Sequence, residues 1–328
     1  MRLSFTRKTG AAKAFCLFLA VLFSIWQCAP VQAAPRHPHK RVHVRTIHRH
    51  HARPVVASNN DLRINAKAAF LMNLTNGRVY YTQNPDDRIP PASITKILTL
   101  YLVREALAKG RVTPETLIPV SSVAVHTGGS TMNLRQGEKV PLSEMIKGIS
   151  IASANNACIA VAEYLGHGDM RRFVAQMNAK ARSLGMRRSV FKNPNGLPAD
   201  GQLTTARDIA ALSAAYIRRF PEALAIHSMT THTYNGVTHH NANALLGRCE
   251  GVDGLKTGFV CAAGFNITAT AKRGKTRLIA VILGANSPFS RETQAEKLLE
   301  YGFSRAAADG APKKHAPAKV HHRRSAAR

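Results

Sequence analysis

In the stretch PASITKILTLYLV, residues 91–103, a serine and a lysine stand three positions apart in an otherwise apolar run. Leu98, Leu100, Tyr101, Leu102 and Val103 put apolar groups on nearly every side of a helix, the pattern of a buried one. A lysine there is costly unless it is paired or gives up its proton. At a helix start, positions i and i+3 share a face, so the Lys96 amine can reach the Ser93 hydroxyl. That is a nucleophile beside a candidate base. Two further triplets carry polar groups of the same kind: Ser153 and Asn155 form S-x-N, and Lys256, Thr257 and Gly258 form K-T-G. Each has a counterpart elsewhere, at Ser189 and Lys192, at Ser58 and Asn60, and at Lys8, Thr9 and Gly10. No triplet decides anything alone. Only one set lies at a helix start, on a break between helices and on a strand, in that order.

The elements that must position these groups can be read from periodicity and turn residues. KAAFLMNLTNGRVYYTQ reads as two strands around the Asn76-Gly77 turn. The helix after Ser93 is expected to stop at Gly110. LSEMIKGISIAS and NACIAVAEYLG read as consecutive helices interrupted by the polar SANN, and DMRRFVAQMNAKARSLG as an amphipathic helix. NPNGLPADGQ reads as a loop, and TTARDIAALSAAYIRRF as a helix capped by Thr204 or Thr205. Late strands are expected in THTYN, GVDGLKTG, FNITATAK and TRLIAVILG, and a closing helix in SRETQAEKLLEYGF. Strands at both ends with helices between imply an antiparallel sheet built from distant segments and covered by helices. The class is α+β, in three layers.

Composition sets the surroundings. Residues 1–33 combine Arg2, Arg7, Lys8 and Lys13 with the apolar run AFCLFLAVLFSIW and small residues up to Ala33, the pattern of a secretory signal peptide. Its core is too short for a comfortable membrane span. Trp26 and Gln27 ahead of Cys28 do not fit a lipoprotein signal. The expectation is an exported protein of the periplasm or cell envelope. The chain carries a formal net charge of +28. Residues 34–60 and 306–328 are expected to be disordered basic segments around a catalytic domain at 61–305. They read either as solvated extensions or as docking arms for an anionic envelope polymer or lipid surface. Nucleic acid is a poor partner for an exported chain despite the charge. The histidines of the first segment lack the ordered spacing of a metal site, and no metal or cofactor is expected. Beyond the signal, Cys158, Cys249 and Cys261 form an odd set, leaving at least one free thiol. A Cys249–Cys261 bridge is left open, although a strand between them would hold them beyond disulfide reach.

SITKILTLYLV, SANNACIAVAEYLG, FKNPNGLPADGQLTTARDIA and GVDGLKTGFVCAAGFNITATA together resemble the low-molecular-mass D-alanyl-D-alanine carboxypeptidases, of the penicillin-binding protein family. The resemblance runs from about Lys67 to Phe303. It implies a β-lactamase/transpeptidase-like three-layer sandwich with an all-helical part. It also implies a serine peptidase removing the terminal D-alanine from peptidoglycan stem peptides, with β-lactam antibiotics as acylating inhibitors. Carried over to this chain, Ser93 is the acylated nucleophile, Lys96 its base, and Ser153 a proton relay. Asn155 holds the peptide amide; Lys256 and Thr257 receive the terminal carboxylate; Gly258 lets substrate lie along the strand edge. Lys256 is also expected to push the Lys96 pKa down. The N–H groups of Ser93 and Phe259 form the oxyanion hole. Arg291 either adds charge for the carboxylate or is a surface residue at a helix start. Where some relatives carry a histidine in the NPxGL loop this chain has Asn195, so no deacylation role transfers there. A class A β-lactamase is disfavoured because the loop from Lys192 to Gln202 has no glutamate. A DD-endopeptidase using the same site and a non-catalytic cell-wall-binding module are the other readings.

Overall fold

Residues 62–310 are described by the computed structural model. The expected signal peptide, the basic segment 34–60 and the last residues of the basic tail lie outside them. β1 (Ala68–Asn73) and β2 (Val79–Gln83) form around Gly77, whose φ of +77° suits a tight turn. One 3-10 turn, Ala92–Thr95, carries Ser93 and leads directly into α1 (Lys96–Ala108). Gly110, at φ +65°, stands just past the helix end, as expected. β3 (Leu117–Pro119) and β4 (Lys139–Pro141) pair with each other and bracket the short α2 (Ser122–Val125). α3 (Leu142–Lys147) runs into a π-helical turn at Gly148–Ala152 rather than continuing as one α-helix. α4 (Asn155–Leu165), α5 (Met170–Ser183) and α6 (Ala206–Arg219) follow, and then α7 (Leu224–His227). Thr205, not Thr204, caps α6 by accepting from the Asp208 N–H at 3.1 Å.

β5 (Thr231–Tyr234) and β6 (Val237–His240) precede three long strands, β7 (Val252–Val260), β8 (Gly264–Arg273) and β9 (Thr276–Ala285). α8 (Pro288–Gly310) closes the fold. The main sheet is antiparallel throughout, in the order β2-β1-β9-β8-β7. β9 shows why it is sandwiched. Ile279, Val281 and Leu283 join the core with α1, α4 and α6, whereas Leu278, Ala280 and Ile282 face Ala295, Leu298 and Leu299 of α8. Alternation with period two therefore feeds apolar side chains to both faces, giving the expected three layers. No helix among the described residues is long and apolar enough to cross a membrane.

Three details depart from the sequence reading or settle it. The THTYN strand does not join the main sheet: β5 pairs with β6 alone. Its turn at Asn235 and Gly236 has positive φ at both positions. The Tyr234 hydroxyl donates to Glu138 at 2.6 Å, and Asn235 exchanges hydrogen bonds with the Asn133 backbone and side chain. These contacts draw the hairpin onto the 133–138 loop and away from the sheet. The closing helix extends past 305 to Gly310, where Asp309 accepts from Tyr80 at 2.9 Å and pairs with Arg78. Cys158, Cys249 and Cys261 are all free thiols. Cys249 and Cys261 stand at opposite ends of β7, and a nine-residue strand cannot bring its ends within bonding distance.

Candidate active site

Ala92 holds the left-handed region at φ +49°, which turns the chain sharply into the 3-10 turn and leaves the Ser93 side chain partly exposed. Lys96 is 0% exposed and is among the largest fully buried side chains. Its Nζ donates to Ser93 Oγ at 2.8 Å, to Asn155 Oδ1 at 2.7 Å and to the Asn195 carbonyl at 2.6 Å. Burial pushes its pKa down to about 8, while the neighbouring Cys158 acts weakly the other way.

Asn155 opens α4 just after Ser153, which sits at φ +57° where the π-helical turn ends. The Ala154 N–H reaches back to the Gly148 carbonyl at 3.0 Å, closing that wide turn. Both ends of the Asn155 amide are occupied: Oδ1 accepts from Lys96, and Nδ2 donates to the Gly128 carbonyl at 2.7 Å. Lys96 only donates and the carbonyl only accepts, so the amide orientation is fixed by its partners. One Nδ2–H and one Oδ1 lone pair remain, and Asn155 lines the cleft. It holds the lysine and the 128–130 loop.

The third triplet lies on β7, an edge strand of the sheet, with the Ser93 turn packed against it. Gly258 is needed for that packing. A Cβ there would sit 2.8 Å from the Ser93 backbone nitrogen, so the missing side chain makes room for the nucleophile's own backbone and not only for substrate. Thr257 and Phe259 face a cleft of about 370 Å³ together with Ser93, Ser153, Asn155 and Arg291. Lys256 is 3% exposed and lies behind this surface, its Nζ donating to the Thr257 carbonyl at 3.1 Å. Thr257 and Arg291 thus line the cleft, and Lys256 does not. Burial first, then the Lys96 and Arg291 cations, push the Lys256 pKa down to about 7. Repulsion between the two lysines, expected at Lys96, opposes charging both members of the pair.

Arg291 stands in the first turn of α8 but is only 6% exposed, so the surface alternative does not hold. It pairs with Glu292 and donates to the Ala242 carbonyl at 3.2 Å, and its Nε has no hydrogen-bond partner among the described residues. Phe259 is 50% exposed and stacks on Phe265, with ring centroids 4.3 Å apart.

The described decoy has a structural explanation. Ser189 is buried, donates to Asp208 at 2.7 Å and lies 2.8 Å from the Thr204 hydroxyl, far from any cleft-lining role, while Lys192 is exposed. Cys158 is fully buried, and burial raises its pKa to about 11, which makes it an inert packing group.

Sequence reasoning missed the loop that follows the decoy. The Asn195 carbonyl takes a Lys96 proton, the Pro194 carbonyl takes the Thr99 hydroxyl at 2.6 Å, and Gly196 stacks its Cα against the Ala92–Ser93 peptide. Main-chain acceptors leave no trace in side-chain identity. The one readable signal was Gly196 in NPNG, whose φ is +84°. Gly129 and Ser130 also line the cleft, and a Cβ on Gly129 would meet Asn155 Nδ2 at 2.7 Å.

A serine with a buried lysine, beside an edge strand of an antiparallel sheet, is the arrangement of the penicillin-recognising fold. Penicillin-binding protein 6B from Escherichia coli superposes with a TM-score of 0.72 at 38% identity, over 77% of this chain and 82% of that one. Penicillin-binding protein D2 from Listeria monocytogenes, solved with ampicillin bound, gives a TM-score of 0.65 at 32% identity, over 74% of this chain and 99% of that one. Residues 54–287 match the family Peptidase S11, D-alanyl-D-alanine carboxypeptidase, and the chain belongs to that family. D-alanyl-D-alanine carboxypeptidase DacF of Bacillus subtilis is 39% identical over 256 residues, 75% of this chain and 64% of its own length. The chain spans under two thirds of the length of such curated relatives.

Proposed function

We propose that this chain is a serine D-Ala-D-Ala carboxypeptidase that removes the terminal D-alanine of peptidoglycan stem peptides and is acylated by β-lactams. The observation that carries this reading is the set of partners around Lys96. Two of the three, Asn155 Oδ1 and the Asn195 carbonyl, accept hydrogen bonds and cannot donate them. When the ammonium loses a proton, its two remaining N–H bonds stay on these fixed acceptors. The free lone pair then points at the one partner with a proton to give, the Ser93 hydroxyl.

Ser93 Oγ attacks the carbonyl carbon of the scissile amide as its proton passes to Lys96 Nζ. The oxyanion forms against the N–H groups of Ser93 and Phe259. Collapse breaks the C–N bond, and the proton returns through Ser153 to the leaving D-alanine nitrogen. Thr257 and Arg291 hold its carboxylate, with Lys256 bracing the Thr257 carbonyl from behind. Water then adds to the ester carbonyl, giving up a proton to Lys96, and Ser93 leaves with that proton. A β-lactam follows the first half of this course, with its ring amide as the bond broken; the Listeria relative's ampicillin complex supports that analogy.

A fluorescent penicillin should label the full chain at Ser93, as read by peptide mapping, and Ser93→Ala should take no label. Label found on Ser189 would overturn the assignment. Because the base must be neutral, the second-order acylation constant should rise with pH through a midpoint near 8, the pKa to which burial lowers Lys96. A flat profile from pH 6 to 10 would mean that Lys96 is not the proton acceptor.

The basic segments 34–54 and 311–328 add a second proposal, docking on an anionic envelope polymer or lipid surface. Trimming both should abolish sedimentation with cell-wall fractions at low salt, and equal sedimentation of the trimmed enzyme would leave them as solvated extensions.

A further inference from the structure

The active site uses none of the polar groups buried behind β7, yet these groups form a connected chain. His227, the last residue of α7, is 1% exposed, and its Nε2 lies 3.1 Å from the hydroxyl of Tyr216 on α6. The same hydroxyl accepts from Arg104 Nε on α1 at 3.1 Å, and Arg104 Nη1 pairs with Glu222 at 2.9 Å. Tyr216 is fully buried and Arg104 nearly so; only Glu222 reaches solvent. α1 is the helix that begins at Lys96. α7 packs on β7 closely enough that a Cβ on Gly254 would come within 3.1 Å of the His227 Cβ. The chain therefore ties the helix carrying the nucleophile's base to the strand carrying Lys256, Thr257 and Gly258.

Proton bookkeeping fixes its polarity. A guanidinium N–H can only donate, so the Tyr216 oxygen accepts from Arg104. Of the two directions open to its second contact, only donation to His227 gives the hydroxyl hydrogen an acceptor among the described residues. His227 Nε2 must then be bare, which puts the ring hydrogen on Nδ1, the side facing the Leu255 backbone. Nδ1 makes no hydrogen bond of good geometry among the described residues, and the Leu255 backbone is the group that acts on it as a hydrogen-bond partner. Burial opposes a charged ring first, then the cations of Arg104 on α1 and Lys256 on β7, against a smaller opposite effect of the Leu255 backbone.

We propose that His227 is a positioning residue, a neutral imidazole held in its Nδ1–H form by Arg104 and Tyr216 that sets β7 against the Ser93–Lys96 helix. This rests on the active-site reading above, because it assigns His227 a role through the strand and not on the substrate.

The test uses the full chain with histidine nitrogens labelled. The His227 ring, assigned by its loss in His227→Gln, should show a protonated Nδ1 and a bare Nε2 at pH 7. Tyr216→Phe should convert or mix the tautomers and slow acylation by fluorescent penicillin about tenfold, the loss of one buried hydrogen bond. His227→Gln, which keeps an acceptor for Tyr216, should be slowed less than His227→Leu. The double variant Tyr216→Phe/His227→Leu should be no slower than His227→Leu, since the two act as one chain. A charged or Nε2–H ring in the wild type overturns the proposal. So does a Tyr216→Phe enzyme that melts lower yet acylates at the wild-type rate. Failure of the wild type to acylate at all would instead strike the active-site reading.

Discussion

Lys96→Arg is expected to slow acylation of Ser93 by about 10²–10⁴-fold, the range of a lost general base, although the positive charge is kept. The site offers the lysine two acceptors that cannot donate and one hydroxyl that can. A guanidinium would satisfy the acceptors equally well, but it has no lone pair at any working pH and cannot receive the serine proton. The larger head must also fit where nothing is exposed, so thermal melting is measured alongside. Lys96→Met, which removes the base without adding bulk, serves as the comparison. Both variants should fail to trap fluorescent penicillin while remaining folded. Near-normal trapping by Lys96→Arg would mean that the buried cation is structural, and that another group, or water, takes the proton.

The second large effect is expected at Gly196. A Cβ there would lie 1.9 Å from the Ala92 carbonyl oxygen and 3.0 Å from the Ser93 nitrogen, and the backbone is at φ +84°. Gly196→Ala therefore combines left-handed strain with overpacking, together about 2–5 kcal/mol. The clash falls on the peptide that aims the nucleophile, so acylation should drop at least 100-fold in whatever fraction stays folded. Gly77→Ala separates the two causes. It has a similar φ of +77° but nothing within 4 Å, so it should cost about 1–2 kcal/mol and leave acylation unchanged. If Gly196→Ala melts and acylates like Gly77→Ala, the loop does not brace Ser93.

These two sites also mark what could be read from the sequence and what could not. The Ser93–Lys96 pair was legible because an apolar helix makes a lysine conspicuous, and Asn155 and Lys256 were legible from order and element type. β1, β8 and β9 followed from runs of apolar and β-branched residues bounded by turns. What escaped was backbone chemistry. The Asn195 carbonyl acts through an atom every residue has, and the π-helical turn before Ser153 has the composition of an ordinary helix. The burial of Arg291 and the retreat of Lys256 behind Thr257 depend on how α8 packs on the sheet, a tertiary fact. The β5–β6 hairpin read as sheet strand because Thr and Tyr favour strands; its real docking depends on Asn133 and Glu138, a hundred residues earlier in the chain.

The pairing of β1 with β9 sets an order of events. Ala68 lies opposite Leu283 and Asn73 opposite Leu278, so the sheet cannot close until nearly the whole described chain exists. Closing so long a loop is slow compared with forming α1 or α5 from local contacts. Until the sheet is in place, the Ser93 turn lacks the β7 edge it packs against, and the cleft lacks its Thr257–Phe259 wall. The complete cleft thus depends on pairing between the two ends of the described chain. A chain shorn of β9 would keep every residue of the three triplets and lose the strand that joins β1 to β8.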